Sequence, residues 1–140
     1  MIDVDIEGLL FKTYILREGG GVLATVHPGW SNKIAVKMRS EKLTYCQRYN
    51  SEGLVVALKR GEQTIINAVF PSTSETSFRF GNLEIKVDAS PYSNRGQVFE
   101  NGREIGAIER YSRSCRLDIP PAYADILKVM IFLVALNVWS

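Results

Sequence analysis

The sequence has little of the chemistry that usually marks a catalytic or metal site. Its 140 residues include one histidine, His27, and two cysteines, Cys46 and Cys115, which lie far apart in the chain. Neither cysteine belongs to a C-x-x-C pair, so the cysteine spacing does not support a metal site. A disulfide is not needed at this length, and two free thiols in a reducing compartment are the favoured interpretation.

An excess of either charge is also lacking. The chain has 17 basic and 15 acidic residues, a formal net charge of +2. Global charge therefore does not indicate a nucleic-acid partner, and only a local basic cluster could support binding to a polyanion. Residues 1–7 are acidic and have neither a basic nor an apolar leader region, so they do not predict a signal peptide. We expect a cytoplasmic protein.

Long hydrophobic runs are absent except at the end of the chain. From Ile126 to Trp139 only Lys128 and Asn137 interrupt the apolar side chains. A helix with this pattern is apolar on every side and must be surrounded by protein or lipid. Fourteen helical residues span about 21 Å, which is short of the ~30 Å hydrocarbon core of a bilayer. No transmembrane segment is predicted, and we expect a helix over Ala122–Val138 buried inside the protein.

Two expectations about this helix follow. Its central apolar side chains should be fully buried: Phe132, Leu133 and Leu136. Lys128 lies near the helix start, and a lysine in an apolar interior is costly unless it is paired. We therefore expect Lys128 to reach the mouth of the surrounding structure, with Asp118 or Asp125 as its partner.

The remaining sequence is a series of short segments rich in β-branched and aromatic residues, separated by turn residues. Gly8–Arg17 is predicted as the first strand, and residues 33–39 as a half-buried strand with a basic outer face. Asn101-Gly102 lies between two extended runs and predicts a type I′ hairpin turn. Residues 71–76 predict a surface loop.

About eleven such segments, with turns every eight to twelve residues or so, are typical of a sandwich or barrel. One all-apolar helix after many antiparallel strands favours a sheet that closes around the helix. We therefore predict one domain over residues 1–140, a closed antiparallel β-barrel of about 12 strands that encloses a hydrophobic C-terminal α-helix.

The last forty residues resemble a known family. Residues 102–110 (GREIGAIER), then Leu117-Asp-Ile-Pro-Pro-Ala-Tyr123, then the apolar terminal helix are similar to the tubby C-terminal-like superfamily, in particular its LURP-one-related and phospholipid-scramblase-like branches. The resemblance implies a barrel of about twelve antiparallel strands threaded by a hydrophobic helix. It also implies a non-enzymatic module. The calcium association of scramblase-like relatives is not carried over, because few acidic residues lie near the helix.

The resemblance further implies a lipid site. Tubby binds phosphoinositides through a Lys-x-Arg pair on a strand, and Lys37-Met38-Arg39 has that spacing on a predicted strand. Arg110 and Arg113 supply further basic groups, since arginine forks suit phosphate. Further basic residues are Arg116 and Lys42. The favoured alternative is that these basic residues cover the barrel surface and pair with nearby glutamates: Glu100, Glu104 and Glu109.

Three functions remain open from the sequence. The first is a non-catalytic module that binds anionic phospholipid or phosphoinositide head groups, peripherally at a membrane, through Lys37, Arg39, Arg110 and Arg113. The second is a structural or protein-interaction barrel, and the third is an enzyme with a pocket at a barrel mouth. His27, alone in a turn, favours no catalytic arrangement. No cofactor or metal is predicted, and the oligomeric state is not determined by the sequence.

Overall fold

A computed structural model describes residues 1–28, 32–51, 53–70 and 75–139 of the chain. These residues form twelve strands and one helix. The elements are β1 (Ile2–Glu7), β2 (Thr13–Glu18), β3 (Gly21–Pro28), β4 (Lys33–Met38), β5 (Lys42–Asn50), β6 (Gly53–Arg60), β7 (Gln63–Phe70), β8 (Glu75–Phe80), β9 (Leu83–Asp88), β10 (Arg95–Glu100), β11 (Arg103–Arg110), β12 (Ser114–Asp118) and α1 (Asp125–Trp139).

The strands form a closed antiparallel barrel with the simplest possible connections. Each strand pairs with its neighbours in sequence, and β12 pairs with β1 to close the ring. Because successive strands alternate in direction, their connections alternate between two ends of the barrel. We call the end where α1 begins the entry end; it contains the β2–β3, β4–β5, β6–β7, β8–β9 and β10–β11 turns. The exit end contains the other connections and the last residues of α1.

The helix fills the barrel, which confirms the predicted architecture. All residues from Leu127 to Ala135 are buried, so the helix has no polar face to present to water. The ring of Phe132 packs against that of Tyr14 on β2, with the centroids 5.6 Å apart. Phe132 and Leu133 are fully buried as predicted, whereas Leu136 is only half-buried because it lies near the exit end.

Side-chain alternation explains how each strand serves both the core and the surface. In β4, Val36 and Met38 are buried while Lys33, Ala35 and Lys37 are exposed. This is the pattern of a strand with one face on a core and the other in water. The hairpin predicted at Asn101-Gly102 is confirmed, since both residues have positive φ, 48° and 85°.

The strand predicted over Gly8–Arg17 was wrong in its first half. Strand β1 lies earlier, and Gly8–Lys12 is the connection between β1 and β2. Gly8 has a φ of +92°, and a Cβ there would lie 2.2 Å from the carbonyl oxygen of Phe11. The backbone therefore turns sharply at Gly8 instead of continuing the strand. Of the predicted 71–76 loop, residues 75 and 76 belong to β8, and residues 71–74 lie outside the described residues.

Lys128 is buried at the entry end, but its main partner is neither of the predicted aspartates. Its Nζ donates to both carboxylate oxygens of Glu18, at 2.9 and 3.1 Å, and to the carbonyl oxygen of Pro121 at 3.0 Å. Asp125 is more distant, at 3.9 Å. Glu18 ends β2 and points into the barrel mouth directly beside the first turn of the helix. The ion pair therefore locks the start of α1 to the wall.

Candidate anion-binding surface

The four predicted site residues lie in two separate places. Lys37 and Arg39 are at the end of β4, near the entry end, whereas Arg110 and Arg113 follow from β11 at the exit end. Around the ring, β4 and β11 are on opposite sides. The structure therefore brings Lys37 close to Arg39 and Arg110 close to Arg113, but it does not unite the two pairs in one site.

Arg110 holds the end of the helix in place. Its guanidinium lies over the ring of Trp139, 5.1 Å from the centroid, and donates to the Trp139 carbonyl oxygen at 3.2 Å. Its other nitrogens donate to Asn94 Oδ1 at 3.4 Å and to the carbonyl oxygens of Pro91 and Ser93 at 3.4 and 3.5 Å. A cation at the last carbonyls of a helix is a stabilising arrangement. These contacts assign Arg110 a structural role and leave it poorly placed to bind phosphate.

Glu100 and Glu109 pair with arginines other than the predicted ones, Glu100 with Arg103 at 3.5 Å. Arg116 donates to Asp3 across the β12–β1 seam at 3.2 Å, and Glu109 pairs with Arg95 at 2.8 Å. Arg113 is exposed in the β11–β12 turn, where its carbonyl oxygen accepts from the amide of Ile6. Of the predicted exit-end pair, only Arg113 presents its side chain to solvent.

Lys37 lies in a cluster of positive charge. Lys37 lies directly opposite Lys42 in the β4–β5 register, and both side chains are exposed. Like charges that face each other across a strand pair are destabilising. Arg39 follows immediately, and its Nε donates to the carbonyl oxygen of Val22 at 3.0 Å, which holds the guanidinium against the surface. The fold therefore concentrates positive charge here at some cost in stability.

This concentration of cations extends over β4, β5 and β6, and the region without carboxylates includes β3 as well. No aspartate or glutamate occurs in β3, β4, β5 or β6, although these strands make up a third of the barrel wall. Their outer face, with the residue that follows β4, carries six cations, which we call the basic wall: Lys33, Lys37, Arg39, Lys42, Arg48 and Lys59. Arg60 is excluded because it forms a bidentate pair with Glu41 in the β4–β5 turn, at 2.6 and 3.1 Å. Those hydrogen bonds hold the pKa of Glu41 below its ordinary value.

The rest of the barrel has a different surface, on which opposite charges alternate. Ion pairs connect Arg17 to Asp5, Arg79 to Glu84, and Lys86 to Glu75, at 3.1, 3.2 and 3.7 Å. The net charge of +2 therefore hides a strong asymmetry between the two sides of the barrel. Asymmetry of this kind creates a local positive potential that global composition does not reveal.

The basic wall contains a concavity of about 330 Å³ across β4 to β7. Lys33, Arg48 and Lys59 line it, together with the hydroxyl of Thr64 and the amide of Asn67. Its volume is at the lower end of the range for small-molecule sites. Three cations and two neutral polar groups around a shallow depression provide suitable donors for a phosphate or a phosphorylated head group.

Sequence reasoning identified part of this surface. The alternation in residues 33–39 indicated a basic outer face, and Lys42 was recognised as nearby basic material. Arg48 and Lys59 were missed, because only the strand register places them beside Lys33. The absence of acidic residues from Gly21 to Ser40 was a sequence signal that could have pointed to the wall.

The catalytic alternatives gain no support from the described residues. His27 is exposed at the end of β3, opposite Ala35. Asp3 and Asp5 on β1 are engaged in ion pairs with arginines. Within the described ranges, no group of three histidine, cysteine or carboxylate side chains is placed to hold a metal ion. Cys46 and Cys115 are free thiols, and burial raises the pKa of Cys115.

No helix in the described part of the chain has the length and apolar character needed to cross a bilayer. Comparison with known proteins identifies no relative: no family model, no curated protein and no solved structure matches the chain.

Proposed function

We propose that this chain is a non-catalytic barrel module that binds anionic phospholipid head groups through the basic wall. One observation carries the proposal: strands β3 to β6 contain no carboxylate, and their outer face, together with Arg39 after β4, carries six cations. A place in the tubby C-terminal-like superfamily is part of the same proposal. It is supported by the twelve-stranded closed barrel around a C-terminal helix and by the terminal sequence pattern.

The facing pair Lys37 and Lys42 supports binding to a polyanion in particular. Two like charges in direct opposition weaken the folded barrel, and an anion between them would relieve the repulsion. The concavity near Lys33, Arg48 and Lys59 offers a place for one phosphorylated head group, while the remaining cations would contact neighbouring lipids. Such a module would act at a cytoplasmic membrane surface, where anionic lipids are concentrated.

The test is binding to vesicles, measured by co-sedimentation of the full chain. Phosphatidylcholine vesicles are compared with vesicles that also contain phosphatidylserine or a phosphoinositide, at low and at physiological salt. Wild type should bind only the anionic vesicles, and binding should weaken as salt rises, because the Debye length falls to about 8 Å at physiological ionic strength.

A charge-matched pair of variants locates the binding surface. Lys37→Ala/Lys42→Ala should weaken binding about 30-fold, since each lysine near an anionic membrane contributes about 1 kcal/mol. The control is Arg79→Ala/Arg103→Ala, which removes the same charge from the opposite side, where the two side chains are 70% and 80% exposed. Equal losses in both variants would show that the basic wall is not the site. If the wild-type chain does not bind anionic vesicles at low salt, the lipid proposal is wrong and the protein-interaction barrel takes its place.

A further inference from the structure

The exit end of the barrel presents an apolar loop to solvent. Leu9, Leu10 and Phe11, in the β1–β2 connection, are 83%, 90% and 57% exposed. Single exposed apolar residues are ordinary on protein surfaces, but three in succession at the tip of a loop are not. The adjoining strands do bury their apolar side chains, including Val4 and Tyr14, so the loop is an exception within a well-packed region.

The loop is short and its shape is fixed. Glu7 pairs with Thr13, so only five residues connect the two strands. Gly8 makes the sharp turn that no residue with a Cβ could make without meeting the carbonyl of Phe11. In this conformation the apolar tip is directed away from the core, as the exposure of its three side chains shows.

Other exposed aromatic side chains lie at the same end. Tyr49 is 83% exposed near the end of β5, Tyr92 is 97% exposed in the β9–β10 connection, and Tyr111 is 48% exposed after β11. Tyrosine is favoured at the head-group level of membranes, where its ring meets apolar material and its hydroxyl meets water. The entry end has Met1 and Val22 as its exposed large apolar side chains within the described ranges, at 52% and 40%.

The charges near the loop suit an anionic surface. Lys12 ends the loop and is exposed, and Arg113 lies on the neighbouring β11–β12 turn at the same end. Glu7, at the end of β1, is the carboxylate next to the loop in sequence. The basic wall begins two strands away, about 10 Å along the ring at the usual strand spacing. Its exit-end members, Lys33 and Arg48, could therefore face the same membrane as the loop.

We propose that Leu9, Leu10 and Phe11 insert into the interfacial region of an anionic bilayer, at the exit-end edge of a docked barrel whose basic wall, Lys37 and Lys42 included, lies against the head groups. This inference rests on the proposed membrane-surface function, but it assigns a separate, apolar element to it. A bilayer fits better than a protein partner, because three side chains that are 83%, 90% and 57% exposed offer roughly 400 Å², less than the ~800 Å² that each side of a stable protein interface buries.

The experiment compares the full chain with Leu9→Ser/Leu10→Ser in co-sedimentation with vesicles that contain phosphatidylserine. We expect at least a tenfold loss of binding, with the loss persisting at high salt because apolar insertion is not screened. Both residues are exposed, so the melting temperature should be unchanged. The control is Val22→Ser, which removes an exposed apolar side chain from the entry end and should bind as wild type does.

A second measurement reports insertion directly. Leu10→Trp should show a blue-shifted emission and quenching by brominated lipids on binding to vesicles, whereas Val22→Trp should show neither change beyond the background of the wild-type tryptophans. Insertion is wrong if Leu9→Ser/Leu10→Ser binds vesicles as well as wild type does and brominated lipids do not quench the tryptophan of Leu10→Trp. That result would not contradict binding through the basic wall. Loss in the loop variant without loss in Lys37→Ala/Lys42→Ala would overturn the basic wall and leave insertion standing. Failure of wild type to bind any vesicle would overturn both.

Discussion

The ion pair between Lys128 and Glu18 should be among the most sensitive points of the fold, and its two members should respond unequally. The side chain of Lys128 is 2% exposed and that of Glu18 is 18% exposed. Glu18→Leu would leave a buried ammonium whose nearest remaining carboxylate, Asp125, is 3.9 Å away and 47% exposed. Breaking a buried pair in this way costs about 3–5 kcal/mol of unfolding free energy.

The reverse change should cost less. Lys128→Met leaves the carboxylate of Glu18 near the barrel mouth, where it can recover part of its hydration, and we expect a loss of about 1–3 kcal/mol. The double variant removes both charges and should lie within about 1 kcal/mol of wild type, because an apolar pair of similar volume replaces a buried ion pair with little penalty.

Urea denaturation of all four proteins gives the coupling energy by linear extrapolation. We expect about 3 kcal/mol or more for this pair. The control is the exposed pair Arg17 and Asp5, at 46% and 55% exposure, whose alanine cycle should give no more than about 1 kcal/mol. Additive single losses, or a smaller cost for Glu18→Leu than for Lys128→Met, would refute the claim that the lysine is desolvated and held by Glu18.

Two further predictions concern the wall and the core. Lys37→Glu places a carboxylate opposite Lys42, so it should stabilise the barrel by about 0.2–1 kcal/mol, and lower stability in urea would contradict the register argument. It also removes two units of positive charge, so it should weaken binding to anionic vesicles about 30-fold. Burial raises the pKa of Tyr45 far above its ordinary value near 10. Above pH 10, Tyr45 therefore loses its proton in the unfolded state but keeps it in the native state. Because the unfolded state then binds fewer protons, the free energy of unfolding falls as the pH rises. The Tyr45 contribution to this decrease is about 1.4 kcal/mol per pH unit and should be absent in Tyr45→Phe. Thermal melts of the two proteins at pH 7 and pH 11 measure the difference.

The parts of the fold that the sequence predicted depend on local chemistry. The helix follows from an uninterrupted apolar run, and the Asn101-Gly102 turn follows from the backbone freedom of two adjacent residues. Both properties act within a few residues of one another. The closed barrel followed from combining these local elements, since an all-apolar helix can be buried only by being surrounded.

The sequence predictions that were wrong concern residues that the strand register places, or fails to place, beside one another. Leu9, Leu10 and Phe11 were predicted as strand residues because the segment Gly8–Arg17 is rich in β-branched and aromatic residues. The turn at Gly8 and the pairing of Glu7 with Thr13 place them outside the sheet. Glu18 was missed as the partner of Lys128 because 110 residues separate them. Hydrophobic pattern determines which residues prefer burial, but it does not determine which distant strand lies beside a given side chain.

The closed, filled barrel also limits where this protein can bind anything. Each of the twelve strands has a neighbour on both sides, and β7 and β8 are joined through the single pair Ala68 and Phe78. Elsewhere the described wall offers no free edge for a partner strand to extend. The lumen is occupied by α1, whose side chains from Leu127 to Ala135 are all buried against it, so it cannot receive a ligand as an eight-stranded ligand-binding barrel does. Recognition is therefore left to the outer wall and the loop ends. Those are the two places where the molecule departs from an ordinary surface, with a carboxylate-free basic wall and an exposed apolar loop at the exit end.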